Sequence, residues 1–253
     1  MRELAMDTPT ALWSLTAGAL IGLAYIVGLT FVVGIVYRIY LYLSTPAPLP
    51  IATTPAPTTV PGATARVAGD VFLFQNLLKY DKSLWVGAWL FHVGLALILL
   101  RHLRYFLYPV PGWVIDLQTV GMYAGFLFPL PALYLLWRRF ALKRTLYVSS
   151  IPDFGALILL AAIAGSGILM KFAAHVYLVD VKAFVVGLLT FHPVAPPAQP
   201  VFIVHFLLVL ALMLYFPFSK LMHAGGIFFS PTRYQPYKTL ERRYVNPWDT
   251  GKG

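Results

Sequence analysis

Four of the six histidines fall in or at the edges of long apolar runs. His92 and His102 lie ten residues apart in LWVGAWLFHVGLALILLRHLRY, from Leu84 to Tyr105. His205 and His223 lie eighteen apart on the stretch that begins at Val201. Ionisable groups at lipid depth are costly, and they are usually retained for function. Imidazole carries protons and binds metals near neutral pH. Two imidazoles facing each other from neighbouring helices supply both axial ligands of a low-spin haem iron. Two other uses of the same residues stay open on these grounds. One is a proton or ion pathway through a transporter. The other is plain helix-bridging hydrogen bonding in a membrane anchor for soluble subunits.

The elements that must position these histidines are long apolar helices. Of the 253 residues, 59% are apolar and only 11% charged, against roughly a quarter charged in soluble domains. Mean hydropathy is +0.75. Several runs exceed the roughly 20 residues that span a bilayer as helix. Alternating ten-residue segments, the mark of a membrane barrel, are not the pattern here. The fold expected is all-α, an integral membrane bundle of five transmembrane helices. The first covers about 11–36 and runs on toward Leu43. The second is Leu84 to Pro109, and the third is Trp113 to Trp137, kinked by Pro129 and Pro131. The fourth covers Ile151 to Ala174, where AGSG (Ala164–Gly167) invites close helix approach. The fifth covers Val201 to Lys220, with Pro217 near its end.

Between the spans, 44–66 is rich in Pro and Thr and is expected to be an extended connector. Asp70 to Lys82 reads as a short amphipathic helix at the interface. Tyr177 to Phe191 is too short and too charged to span and is expected to lie on the surface. His175 and His192 read as interfacial or loop residues. Four regions follow: 1–43, the first span; 44–83, linker and interfacial helix; 84–229, a four-helix dihaem core; and 230–253, a polar, basic tail.

The chain has no cysteine. That excludes disulfides, cysteine-ligated iron–sulfur clusters and thioether-linked c-type haem. The formal charge of +10 bears on orientation rather than on nucleic acid, because the basic residues flank apolar spans. With the N-terminus periplasmic and the C-terminus cytoplasmic, the inner segments collect fourteen of the nineteen Lys and Arg. The N-terminus lacks a basic n-region and a cleavage box, so the first span is expected to be retained rather than removed. Arg101 and Arg104 run against the charge rule, which gives them a specific task at the outer end of the second span.

Alternating directions place His92 and His223 toward the inner side and His102 and His205 toward the outer side. Two cross-helix pairs result, stacked through the membrane. Ala88 and Ala96 on the face of His92, and Ser219 and Gly226 near His223, leave room for a flat macrocycle. The spacings do not match, however. Ten helical residues rise about 15 Å and eighteen about 27 Å. Straight parallel helices cannot hold both pairs level, so tilt of the helices or haem planes, or a bend at Pro217, must absorb the difference.

The two His-bearing motifs, FHVGLALILLRHLRY (Phe91–Tyr105) and PFSKLMHAGGIFFSPTR (Pro217–Arg233), resemble the respiratory nitrate reductase gamma family. In that family one helix carries two His ten apart and a later one carries two His eighteen apart. Together with LPIATTPAPTT (Leu49–Thr59) and ERRYVNPW (Glu241–Trp248), the motifs are most similar to the DsrM branch, the haem b subunits of sulfite-reduction-associated DsrMKJOP complexes. The resemblance implies two non-covalent haems b. His92 and His223 would hold the inner haem iron, and His102 and His205 the outer one. It implies a menaquinone or ubiquinone site near the outer haem, with His102, Arg101 and Arg104 lining it. It implies electron exchange between quinol and a cytoplasmic iron–sulfur (DsrK-like, heterodisulfide-reductase-like) subunit. A second membrane subunit and periplasmic multihaem c and iron–sulfur subunits complete such complexes. A nitrate reductase gamma or heterodisulfide reductase cytochrome b subunit shares the same motif pattern.

Overall fold

The computed structural model describes residues 7–46, 52 and 55–237, and these are helical with no strand among them. Helix α1 spans Asp7–Ser44. Helix α2 (Val60–Phe72) begins where Thr59 caps it, its hydroxyl accepting from the Gly62 amide at 3.2 Å, with a proline in the first turn. Both are standard helix-start devices. The extended connector expected over 44–66 is therefore helical from Val60 onward.

The single amphipathic helix expected over Asp70–Lys82 is instead two pieces. Phe74 adopts a left-handed backbone, φ 49°, which ends α2 and starts α3 (Gln75–Tyr80). That conformation costs a non-glycine residue about 1–2 kcal/mol. The corner is closed by Asp70, which accepts from the Asn76 side chain at 2.8 and 2.9 Å. Apart from Ala52, the LPIATT part of the linker lies outside the described residues, as does the terminal ERRYVNPW motif.

Helix α4 (Lys82–His102) is capped by Asp81, which accepts from the Leu84 amide at 2.9 Å. A 3₁₀ turn, Leu103–Tyr105, closes its far end. The third span is two segments, α5 (Gly112–Leu127) and α6 (Pro129–Ala141). The break at Phe128 falls where Pro129 and Pro131 withdraw amide donors, as expected. After α7 (Lys143–Val148), helix α8 (Ile151–Phe172) opens with a capping box between Ser150 and Asp153. Helix α9 (Leu178–Leu189) follows, then α10 (Pro200–Tyr215). Five helical stretches are long and apolar enough to cross a membrane: 13–44, 82–105, 112–141, 151–172 and 200–218. The protein is multi-pass.

The core lies between α4, the α5–α6 junction and α8, where Phe91, Phe128, Ala132 and Leu160 are buried together. The Phe91 and Phe128 rings stand 4.9 Å apart. On the other side, α10 packs on α8 and α1. The two helices that carry His92, His102 and His205 thus take other helices as their main packing partners.

Helix α9 does not simply rest on the surface, as its charge suggested. Phe184 is fully buried, its ring set edge-on to Phe206 at 5.2 Å. The Tyr25 hydroxyl donates to the Leu188 carbonyl at 3.2 Å, and Tyr25 stacks on Phe191. A side chain at Gly187 would meet the His192 carbonyl at 2.7 Å, so glycine is what lets the loop fold back there. One aromatic at the right helical position outweighs two charges near the end of a short helix.

The fifth span departs most from a straight helix. Regular α-helix stops at Tyr215, and Phe216–Phe218 form a 3₁₀ turn around the buried Pro217. Ser219 is extended (φ −120°, ψ 176°), and Lys220–Met222 form a second 3₁₀ turn. His223 opens a new short helix, α11 (His223–Gly226). The bend nests in α1, because a side chain at Gly34 would stand 2.7 Å from Pro217 Cβ.

Candidate functional site: two histidine pairs

The break at Ser219 removes the mismatch between ten and eighteen residues. His205 to Tyr215 rises about 15 Å along α10, the same as His92 to His102 along α4. The remaining residues to His223 follow a folded path rather than about two further turns of straight helix. As a result the His92 and His223 rings lie 5.9 Å apart, centroid to centroid, at 82°. His102 ends α4, and His205 lies in α10. The structure brings His92 and His223 together, as the alternating topology predicts.

Each of the four rings has one nitrogen committed in the same way. Nδ1 of His92 lies 2.7 Å from the Ala88 carbonyl, and Nδ1 of His102 lies 2.7 Å from the Ile98 carbonyl. Nδ1 of His223 lies 2.7 Å from the Lys220 carbonyl. A carbonyl only accepts, so Nδ1 carries the proton in all three, and Nε2 of the neutral ring keeps its lone pair. His205 reaches the same state through a side chain. Its Nδ1 lies 2.9 Å from Ser166 Oγ, which itself donates to the Ile163 carbonyl at 2.9 Å. Metal-bound histidines characteristically donate their other ring N–H in this manner.

This donor set fits a bis-imidazole iron. Metal–imidazole bonds of about 2 Å put two trans nitrogens about 4 Å apart and the ring centroids roughly 6 Å apart. The inner pair already has that separation. Among the described residues no group of three or more His, Cys, Asp or Glu gathers for a metal.

Aromatic rings crowd His92. Phe74 meets it edge-on at 5.0 Å, and Phe91 meets it at 5.2 Å and 72°. Phe74 reaches the imidazole only because of its left-handed backbone at the α2–α3 corner. The sequence marks Phe74 as one apolar residue among many, and no local signal distinguishes it.

His223 is placed by an ion pair. Asp153, at the start of α8, accepts from the Ser150 amide at 2.9 Å and from Lys220 Nζ at 2.8 Å. The Lys220 carbonyl in turn holds His223. The Tyr215 hydroxyl, donating to the Pro152 carbonyl at 2.9 Å, pins the end of α10 to the same place. Met222 beside His223 is buried while His223 is exposed, so the thioether points away from the pair.

The two arginines that break the charge rule behave differently. Arg104 donates to Gln118 Oε1 at 2.6 Å and to the Tyr105 hydroxyl at 2.8 Å, and lies over the Tyr105 ring. Arg101 lays its stem over Gly121, where a side chain would meet its Cβ at 2.8 Å. Both keep a buried Nε without a partner. His175 and His192 are exposed in the connections on either side of α9.

A second acidic anchor sits at the start of α4. Asp81 pairs with the buried Arg138 and, at 3.3 Å, with Arg144. The Leu84 amide, then the Ser83 hydroxyl and these two guanidinium groups, hold its carboxyl below the usual range.

The fold defines a multi-pass helical membrane protein in which His92, on the second span, meets His223, just past the fifth. Comparison with known proteins makes the assignment specific: residues 75–245 match the nitrate reductase gamma subunit family, and the chain belongs to that family. A protein of Archaeoglobus fulgidus, the Hdr-like menaquinol oxidoreductase cytochrome b-like subunit, is 38% identical over 89% of this chain and 81% of its own length. The protein of the same name in Archaeoglobus profundus is 33% identical over 90% of this chain and 81% of its own.

Proposed function

We propose that this chain is the dihaem cytochrome b subunit of a membrane-bound quinol oxidoreductase. His92 and His223 would ligate the inner haem b, and His102 and His205 the outer. The observation that carries the reading is the contact of the His92 and His223 rings, together with an Nδ1 hydrogen bond at each of the four histidines. The menaquinol oxidoreductase names of the relatives support the same chemistry. Haem b bound at each pair supplies reversible one-electron chemistry. The chain's own part is to hold the imidazoles, keep their tautomer and exclude water.

On this reading the N-terminus faces outward, and Arg101 and Arg104 carry charge to the outer pair. Arg101 is the freer of the two and serves a haem propionate or a quinol there. Arg104 is largely occupied by Gln118 and Tyr105. The inner pair faces a cytoplasmic iron–sulfur subunit of the DsrK type. A second membrane subunit and periplasmic haem c and iron–sulfur subunits complete an assembly of the DsrMKJOP kind in dissimilatory sulfur metabolism.

The test is a haemochrome assay on purified protein and on His92→Ala and His223→Ala. Two haems b per chain are expected, falling to one in either variant. Full haem content in both variants would show that the pairing is wrong, and wild-type protein without haem would favour a transporter or anchor.

A further inference from the structure

Three of the four histidines donate Nδ1–H to a main-chain carbonyl one turn away on their own helical segment. The fourth, His205, donates to the side chain of another helix, Ser166 of α8. We propose that Ser166 is a positioning and tuning residue for the outer pair, setting both the orientation of the His205 ring and its strength as a ligand. This rests on the dihaem reading and adds a residue to it.

Three observations converge on Ser166. It is a buried polar residue in an apolar span, 7% exposed. Its own proton is used, because Oγ donates to the Ile163 carbonyl at 2.9 Å. With that proton on Ile163, the oxygen's lone pairs face the ring and Nδ1–H of His205 donates to them. The next residue, Gly167, lies under the same ring, where a Cβ would stand 3.5 Å from His205 Cε1. The AGSG stretch thus provides a hydroxyl and a flat bed for one imidazole.

The chemical consequence follows from acceptor strength. A hydrogen bond from Nδ1–H lends the ring imidazolate character and makes Nε2 a stronger donor to a metal. A hydroxyl is a weaker acceptor than a peptide carbonyl. By that measure His205 gives iron less electron density than the carbonyl-bonded rings do, and it favours ferric iron least. The outer site is biased toward the reduced state relative to an all-carbonyl site. Removing the hydroxyl carries this further. It leaves Nδ1–H unpartnered in an apolar span and frees the ring to turn.

The experiment is a redox titration of the purified protein, with haem content by haemochrome, for wild type, Ser166→Ala and Ser166→Thr. Outer-haem bands are identified from His205→Ala, which should lack them. In Ser166→Ala both haems are retained and the outer midpoint potential rises. A tenfold change in the ratio of ferric to ferrous ligation would appear as 59 mV. The inner potential stays put. Ser166→Thr restores a hydroxyl and brings the potential back toward wild type. An unchanged outer potential in Ser166→Ala with both haems present would overturn the role of Ser166 while leaving the dihaem reading intact. A shift of both haems alike, or a shift that Thr does not reverse, would also overturn it, since that is a packing effect. Wild-type protein without two haems would instead overturn the dihaem reading itself.

Discussion

Lys220 is the residue whose loss should separate the inner site from the rest of the bundle. It belongs to the broken segment between Ser219 and His223, and its carbonyl holds the His223 ring. Its ammonium ties that segment to Asp153 at 2.8 Å, but the Lys220 side chain is 73% exposed. An exposed pair contributes about 0.2–1 kcal/mol. Lys220→Met keeps the aliphatic stem and should weaken inner-haem retention by at most about fivefold, since 1.4 kcal/mol is a factor of ten. Asp153→Ala also removes the cap on α8, adding about 1 kcal/mol, so a fall of up to about thirtyfold is expected. Lys220→Arg should restore wild-type behaviour. The assay is haem reconstitution of each variant with increasing haem, resolving the two sites by the bands lost in His223→Ala and His205→Ala. Only the inner site should respond. Full inner occupancy at limiting haem in Asp153→Ala would refute the tether, and equal loss from both sites would show that Asp153 supports the bundle rather than His223.

Four further outcomes follow from contacts elsewhere in the bundle. Arg104→Met leaves Gln118 and Tyr105 without their donor and should cost about 1–3 kcal/mol, seen as a lower unfolding temperature in detergent. Arg101→Met breaks no hydrogen bond in the structure and should leave stability within about 0.5 kcal/mol while lowering quinol oxidation in assembled membranes. Gly34→Val drives a side chain into Pro217 and should cost about 1–3 kcal/mol by overpacking, whereas Gly28→Ala, with open space around it, should not. Asp81 should make stability acid-sensitive. Its folded pKa lies below the ordinary 3.8 of a free aspartate, so its contribution is complete above that pH and fades as pH falls through the lower, folded value. Thermal unfolding of Asp81→Asn should show a flatter acid limb than wild type, and parallel limbs would refute this.

What could be read in the sequence was whatever depends on composition and on the order of spans. Apolar runs fix the five helices because lipid forbids unsatisfied backbone. The pairing of His92 with His223 and His102 with His205 follows from alternating direction alone. The proline kink in the third span was equally local. The start of α2 was also written locally, in Thr59 and Pro61, but the proline-rich context masked it. Three features were not local. The left-handed turn at Phe74 is held by Asp70, Asn76 and the neighbouring helix. The burial of Phe184 depends on rings at Phe202 and Phe206. The bend at Pro217 is local, but the path after Ser219 is held to α8 by the Lys220–Asp153 ion pair. Each is a compromise in which a distant partner outweighs the local preference of the chain.

The two pairs are consequently built to different plans, although the sequence presents them as equivalents. The outer pair stands on regular helix at both rings and borrows one hydroxyl from α8. His205 is held by the packing of α10 on α8, and His102 stands at the end of α4, which packs on α5. The inner pair has one ring on regular helix and the other on a four-residue helix after an extended residue. His223 is exposed there, and what orders it is one carbonyl, one ion pair and one tyrosine hydroxyl. A broken segment is the costlier solution, because every freed residue adds conformational entropy that the tether must offset. It is also what lets eighteen residues on one strand of chain match ten on another. The register of the histidines and the fragility of the inner site therefore have one cause: the chain bends at Pro217 and breaks at Ser219 to bring His223 level with His92.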